Sequence, residues 1–219
     1  MKSQALFSLM IVFFLAIAPA RSQDIDFDDW RQGDLIFQES ESALSKAIAD
    51  ATGSPFTHMG VIRLTGGGPY VMEAAAFVTE TDVETFILRG RNHRFAVYRM
   101  TSLSEAQRHA VIAAAYEQMD KPYDVFFRLK DDAIYCSELP YYAFQSVGVE
   151  LGRVQRLGDL NISGPNAKSA INQRWRAHPD CKAKSLGKAQ CLKLIGDQRL
   201  ITPVSIAKDP RLTLVYSNF

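Results

Sequence analysis

The sequence predicts an α+β fold in which an antiparallel sheet packs against a few helices. Two strand-like runs, "HMGVIRL" and "YVMEAAAF", flank "TGGGP", a combination typical of a β-hairpin. Further short strand-like runs, "GDLIFQES" and "FAVYRM", are separated from each other and from later runs by segments with helical spacing. This mixture of short strands and amphipathic helices in about 200 residues fits one domain.

The first elements follow in a clear order. "GDLIFQES" predicts a strand that begins after a glycine turn. "SALSKAIADATG" predicts a helix, because its apolar residues recur at helical spacing and it stops at Gly53 and Pro55. The hairpin and the "FAVYRM" strand come next, and "TSLSEAQRHAVIAAAYEQM" then predicts an amphipathic helix capped by Ser104 or Thr101.

The second half predicts a turn, a second helix and two late strands. "DKPYD" is typical of a turn. "AIYC" reads as a short strand that leads into a helix, "SELPYYAFQSVG", closed by Gly148. "ITPVSI" and "LTLVYS" are interpreted as the last strands.

Residues 1–20 have the layout of a secretory signal peptide. Lys2 precedes an apolar run over residues 6–17, and small residues ending at Ala20 form an A-x-A-like cleavage site. The alternative is an uncleaved membrane anchor, since the charge-free run is just long enough to span a bilayer. We expect a periplasmic or secreted protein in which residues 21–219 form a single domain.

The charge balance argues against a nucleic-acid-binding protein. Removal of the leader takes away Lys2 and leaves 24 basic against 24 acidic residues. Residues 166–194 are nevertheless strongly basic. This segment is either a solvated loop region or a surface that contacts an anionic envelope polymer or lipid headgroup. The cations are Lys168, Arg174, Arg176, Lys182, Lys184, Lys188 and Lys193.

The chain has three cysteines, and in an exported protein two of them are expected to form a disulfide, which leaves one free thiol. Cys181 and Cys191 are close in a polar, loop-like stretch, where a small disulfide is expected. Cys136 is then the free thiol. At the start of a helix, unpaired N–H groups and the helix dipole favour its thiolate, the form that acts as a nucleophile. The alternative interpretation is a small buried apolar residue.

Four histidines are candidates for a catalytic base beside Cys136. His93 lies in a polar turn and His109 on a solvated helix face, so both are interpreted as surface residues. His58 begins a strand directly after a loop that contains proline, a position where reactive groups gather. His178 remains a rival base.

Glu73 supports the choice of His58. A carboxylate within the apolar run "YVMEAAAF" needs a partner if that strand is buried. A turn centred between Thr65 and Gly66 places Glu73 opposite His58, and a turn centred between Gly66 and Gly67 places it one diagonal away on the same face. A turn centred on Gly66 or on Gly67 itself would place His58 and Glu73 on opposite faces of the sheet.

The segments "GDLIFQES", "SKAIADATGSPFTHMGVI", "YVMEAA" and "IYCSEL" together resemble the YiiX/YaeF-type permuted papain-like amidases, relatives of the NlpC-type cell-wall hydrolases. The late "ITPVSIAKDPRL" also resembles the family. In these permuted enzymes the histidine strand precedes the cysteine helix, as His58 precedes Cys136 here. The resemblance implies Cys136 as nucleophile, His58 as base and Glu73 as the third polar residue. Pro140 departs from the expected pattern, where an ordinary helix former would stand.

The implied activity is that of an exported cysteine hydrolase or amidase. Cys136 would attack an amide or ester carbonyl, and His58 would protonate the leaving group and then activate water or another acceptor. Tyr123 and Asp124 precede the nucleophile and could line the substrate cleft, although a turn with a structural aspartate also fits. The expected substrate is a cell-wall peptide or an N-acyl lipid or ester, and no cofactor is expected.

Three alternatives remain open. His178, Cys181 and Cys191 could provide three zinc ligands, although a disulfide suits an exported chain better. His178 could replace His58 as the base. A papain-like fold without activity could serve as an envelope-binding module through the basic segment.

Overall fold

The computed structural model describes residues 27–129 and 132–219, so the predicted signal peptide at residues 1–20 lies outside the described residues. The strands are β1 Leu35–Ser40, β2 His58–Thr65, β3 Gly68–Ala74, β4 Val78–Asp82, β5 Gly90–Met100, β6 Gln155–Arg156, β7 Arg199–Leu200 and β8 Leu212–Ser217. The helices are α1 Ala43–Thr52, α2 Val83–Leu88, α3 Glu105–Tyr116, α4 Glu138–Gln145, α5 Pro165–Arg174, α6 Pro179–Ala183, α7 Lys188–Asp197 and α8 Pro203–Ala207. Within the described part of the chain, no helix combines the length and the apolar content needed to cross a membrane.

One six-stranded sheet forms the centre of the molecule. Its strand order is β4-β3-β2-β1-β5-β8, and each neighbouring pair is antiparallel. β6 and β7 form a separate two-stranded ladder. The predicted α+β class with an antiparallel sheet is therefore confirmed.

The two faces of the sheet bury different apolar clusters. Phe37 and Met59 belong to the larger cluster, which α3 and α4 cover on one face. Ile36 and Ile62 point to the other face, where they pack with Phe86 of α2. Because neighbouring residues of a strand alternate between faces, both faces of β1 and β2 are apolar and covered over the buried parts of these strands, residues 35–38 and 59–62.

The glycine-rich turn sets the register of the hairpin formed by β2 and β3. Thr65 pairs with Gly68 and Val61 pairs with Met72, so the turn is centred between Gly66 and Gly67. Gly68 has a φ of +115°, a conformation that glycine adopts without a steric penalty. The observed register is the second of the two alternatives that keep His58 and Glu73 on one face.

The helix ends follow local capping chemistry. Of the two predicted caps for α3, Ser104 is the one used, and it forms a capping box with Gln107. α1 ends at Gly53 in the left-handed conformation. α4 begins at Glu138 and places Pro140 in its first turn, where the missing N–H of proline has little effect.

Two predicted strands are wrong. "AIYC" forms only an isolated bridge between Ile134 and Tyr123, because the chain turns at once into α4 and Tyr135 O already accepts from Glu138 N at 3.0 Å. The segment "ITPVSI" contains the start of α8 instead of a strand. Thr202 caps this helix by accepting from Ser205 N at 3.1 Å, and Pro203 occupies its first position, so capping outweighs the strand preference of the branched residues.

The basic segment 166–194 is helical, and its interpretation as a loop region is wrong. It lies mainly in α5, α6 and α7. Cys181 of α6 and Cys191 of α7 form a disulfide with a Cα–Cα distance of 5.4 Å, in a small apolar cluster with Ile195. The cross-link and this cluster hold together a segment whose sequence is too polar to show a strong helical pattern.

Candidate active site

Cys136 lies immediately before α4, at the point where the chain enters the helix. Its side chain is buried, and its Sγ is 4.0 Å from Thr57 O and 3.9 Å from the hydroxyl of Tyr123. Ser137, the residue before the first helical turn, donates its hydroxyl to Ile201 O at 2.9 Å. The start of α4 is thus fixed to the chain segment that precedes α8, and the thiol is held against the beginning of β2.

His58 is the first residue of β2 and lies beside the thiol of Cys136. Its Nε2–H donates to Glu73 Oε2 at 2.5 Å. Cys136 lies close enough to the imidazole to raise its pKa, and because Nε2 is bonded to Glu73, Nδ1 is the nitrogen left for the thiol. The ring stacks on Phe86 with centroids 5.7 Å apart. Its orientation is therefore fixed by a carboxylate at one end and by an aromatic ring on one face.

The hairpin register brings Glu73 to His58. Extending the observed pairing puts Glu73 opposite Gly60, one diagonal step from His58 on the same face of the sheet. A Cβ on Gly60 would lie 2.4 Å from Val71 Cγ1 and 2.6 Å from Met72 O. Only glycine leaves enough space at this position for the two strands to approach as they do.

Glu73 is completely buried and has two further partners that sequence reasoning missed. The hydroxyl of Thr81 in β4 donates to its Oε1 at 2.5 Å. The guanidinium of Arg89, directly after α2, forms an ion pair with its Oε2. Thr81 shares the face of Glu73 on the neighbouring strand, a signal available once β4 is recognised. The sequence gives no such signal for Arg89, because its contact with Glu73 depends on the path of α2 across the sheet.

The electrostatics of the pair favour charged side chains. Burial opposes the protonated imidazole, but the hydrogen bonds and charges of Cys136 and Glu73 outweigh it and raise the pKa of His58 to about 9. Burial also opposes the carboxylate, yet His58 and Arg89 lower the pKa of Glu73 to about 2. At neutral pH an imidazolium therefore faces the sulfur of Cys136, an arrangement that stabilises a thiolate.

Tyr123 and Asp124 lie near the nucleophile in different roles. Burial, and then the charge of Cys136, raise the pKa of Tyr123 well above its usual value, so its hydroxyl stays protonated 3.9 Å from Sγ. The buried Asp124 carboxylate accepts from Phe126 N at 2.8 Å and from Arg128 N at 2.6 Å. Asp124 thus holds the turn, and contact of either residue with a substrate stays a prediction.

A large cavity adjoins the nucleophile. It contains about 830 Å³ of empty space, counted with the solvent at its mouth, and Cys136 and Ser137 form part of its wall. The remaining wall comes from Tyr135 and from residues 44–52, 125–127, 157–178 and 195–203. These segments include the predicted helix α1 and, from the helices that sequence analysis did not predict, α5 and the end of α7.

His178 and the other two cysteines form a different, structural cluster. The buried His178 pairs its Nε2 with Gln198 Oε1 at 3.0 Å, and the Gln198 amide donates to Phe126 O at 2.7 Å. This pairing directs its ring toward Gln198 and Phe126, whereas His58 is the histidine whose pKa responds to Cys136. The sulfurs of Cys181 and Cys191 are bonded to each other and are not available as thiolate ligands for zinc.

Two relatives from Escherichia coli resemble this chain over most of its length. A protein of strain K12 described as uncharacterized protein YiiX is 31% identical over 185 residues, 84% of each chain. A crystal structure of YiiX from strain O157:H7 superposes with a TM-score of 0.76 at 30% identity, and the match covers 86% of this chain and 98% of that one.

The O157:H7 protein is described as a metalloprotein, which raises the question of a metal site in this chain. Across residues 27–129 and 132–219, no three or more His, Cys, Asp or Glu side chains converge in a way that could hold a metal ion. In the candidate active site, Glu73 is already occupied by His58, Thr81 and Arg89. The residues present here do not fit a metal centre, and no catalytic step is derived through one.

The family is shown by a match over most of the chain. A family model described as permuted papain-like amidase enzymes of the YaeF/YiiX type, family C92, matches residues 29–216. The matched range contains β2 with His58, β3 with Glu73 and the later start of α4 with Cys136. This chain belongs to the YaeF/YiiX family of permuted papain-like amidases.

Proposed function

We propose that this protein is an exported cysteine hydrolase of the amidase type, with Cys136 as nucleophile, His58 as general base and acid, and Glu73 as the group that orients His58. The observation that carries the proposal is the buried site in which Cys136 at the start of α4 adjoins His58, whose ring is hydrogen-bonded to Glu73 of the neighbouring antiparallel strand. This is the nucleophile, base and orienting-group arrangement of covalent catalysis.

The reaction proceeds by acyl transfer. The Cys136 thiolate attacks the carbonyl carbon of an amide or ester, and N–H groups at the start of α4, including that of Cys136, stabilise the oxyanion. The imidazolium of His58 gives its proton to the leaving amine or alcohol as the C–N or C–O bond breaks. Water, activated by the now neutral His58, attacks the thioester, which releases a carboxylic acid and restores the thiolate–imidazolium pair.

Alkylation of the thiol tests the activated nucleophile. We expect iodoacetamide to modify Cys136 rapidly at neutral pH, since an imidazolium beside a cysteine favours its nucleophilic form. Mass spectrometry without reductant locates the label. The His58→Ala variant should be labelled much more slowly, whereas the matched variant His178→Ala should be labelled like wild type.

The opposite pattern would assign the base to His178. Equal labelling rates in wild type, His58→Ala and His178→Ala would remove the support for an activated thiol. In parallel, hydrolysis of amide and ester substrates should be abolished in Cys136→Ala, which also separates an enzyme from an inactive binding module.

The proposed location is the periplasm or the extracellular space. Support comes from the signal-peptide pattern of residues 1–20 and from the basic segment 166–194, whose lysines are exposed on the helices. We propose that these cations make peripheral contact with an anionic envelope surface. Cell fractionation and the mass of the mature N-terminus test export; a protein that retains Met1 in the cytoplasm would contradict it.

A further inference from the structure

Arg89 lies beside the proposed catalytic base. Its Nη2 and the Nε2 of His58 both donate to the same oxygen of Glu73, Oε2. Two donors that share one acceptor atom are no more than about 6 Å apart, because each hydrogen bond of this kind spans about 2.7–3.2 Å. The guanidinium is therefore a direct neighbour of the residue that gives a proton to the leaving group.

Exposure to solvent increases from Glu73 through His58 to Arg89. The Glu73 side chain is completely buried, that of His58 is 13% exposed and that of Arg89 is 38% exposed. A substrate that reaches His58 can therefore touch the guanidinium, while the carboxylate that holds the guanidinium stays out of reach. The charge that Arg89 presents on this side of the site is positive.

The guanidinium is also held in place with donors to spare. Its Cζ lies 5.1 Å from the centre of the Phe86 ring, the ring on which His58 stacks. Within the described part of the chain, Glu73 is the one acidic group paired with Arg89, and it is bonded through Nη2. Arginine carries five N–H donors, so those of Nε and Nη1 remain for a ligand. Their planar arrangement matches a carboxylate or a phosphate.

We propose that Arg89 binds an anionic group on the leaving part of the substrate, a carboxylate or phosphate a few bonds from the scissile nitrogen or oxygen. The inference rests on the proposed function and narrows the leaving group of that reaction. Because His58 gives its proton to the leaving atom, the departing amine or alcohol lies along the histidine and next to Arg89. The acyl part, which becomes bonded to Cys136, lies on the other side of the scissile bond.

Pairs of substrates that differ only in charge test this contact. N-acyl glycine is compared with N-acyl glycinamide, and N-acyl ethanolamine phosphate with N-acyl ethanolamine, as amides or as the corresponding esters with one acyl group throughout. In wild type we expect kcat/KM to be about tenfold higher for the anionic member, mainly through KM, which is the effect of one charge-assisted hydrogen bond. The two pairs distinguish the carboxylate of an amino acid or peptide from the phosphate of a lipid headgroup.

Variants of Arg89 assign the preference to this residue. Arg89→Met should abolish the preference; its effect through Glu73 lowers kcat for the charged and the neutral member alike and cancels in their ratio. Arg89→Lys keeps the charge with fewer donors, should retain part of the preference, and serves as the test if Arg89→Met does not fold. Arg91→Met, at an exposed arginine paired with Glu39, is the matched control and should keep the full preference.

Protection of Cys136 from iodoacetamide separates this inference from the hydrolase, because protection needs no turnover. The anionic member of a pair should protect at about tenfold lower concentration than the neutral member, and Arg89→Met should remove the difference. Turnover that depends on Cys136 but does not distinguish the two members would overturn the inference and leave the hydrolase standing. Selective protection that depends on Arg89, without turnover of any amide or ester, would support the anion contact and remove the hydrolase. Equal protection by both members, or a preference unchanged in Arg89→Met, would overturn the inference.

Discussion

The high pKa of His58 predicts that the contribution of His58 to stability is lost as the pH rises above neutrality. An ordinary histidine has a pKa of 6.5; burial opposes the protonated ring, but the interactions with Cys136 and Glu73 outweigh it and raise the pKa of His58 to about 9. His58 therefore holds a proton in the folded state that it releases in the unfolded state, so its own contribution is complete below pH 6.5 and is lost as the pH passes through 9. A difference of about 2.5 pKa units corresponds to about 3 kcal/mol in the free energy of unfolding.

Urea denaturation at half-unit steps from pH 5.5 to pH 9.5 measures this dependence. The comparison is made in the Cys136→Ala background, because a thiolate in the folded state would release one proton and offset the proton that His58 retains. We expect the free energy of unfolding of Cys136→Ala to fall above pH 6.5, by up to about 1.4 kcal/mol per pH unit relative to Cys136→Ala/His58→Gln, which lacks the titrating group. Adding His109→Gln, at an exposed histidine of α3, is the matched control and should leave the curve of Cys136→Ala unchanged. Parallel curves with and without His58→Gln above pH 6.5 would refute the imidazolium at this site.

Three further changes test the supports of the site. Arg89→Met removes one partner of the Glu73 carboxylate, and we expect kcat for hydrolysis of an uncharged substrate to fall about tenfold with KM unchanged; full activity would contradict an electrostatic role. Gly60→Ala places a Cβ 2.4 Å from a neighbouring side chain, and urea denaturation should show a loss of about 2–3 kcal/mol, whereas an unchanged midpoint would disprove the close approach. The double variant Cys181→Ser/Cys191→Ser should lower the free energy of unfolding by about 3 kcal/mol, and dithiothreitol should have that effect on wild type alone.

The sheet and one hairpin of the site were predictable because local chemistry determines them. Alternation and the glycine-rich turn predict β2 and β3, and the placement of Glu73 in an apolar strand predicts a buried partner on the same face. The capping signal before α3 left Ser104 and Thr101 open, and the glutamine three residues after Ser104 decides for Ser104. The approach of Cys136 to His58 did not follow from any local pattern and was expected from the family resemblance.

The helices over residues 157–203 were not predictable in the same way, because tertiary contacts stabilise them. α5 is polar and buries little besides Ala167, so its pattern is weak. One signal was available, the glycine–proline pair at positions 164 and 165, since proline is favoured at the first position of a helix. The cavity could not be predicted, because its walls come from segments far apart in the chain.

The hairpin register has a consequence for how this protein can vary. Inserting or deleting one residue between Thr65 and Gly68 would exchange the faces of β3 and move Glu73 away from His58, whereas replacing the turn residues would leave the alignment intact. Active relatives are therefore expected to tolerate many turn sequences but to keep the parity of the spacing between histidine and glutamate. The length of this turn, more than its composition, thereby determines whether His58 and Glu73 meet.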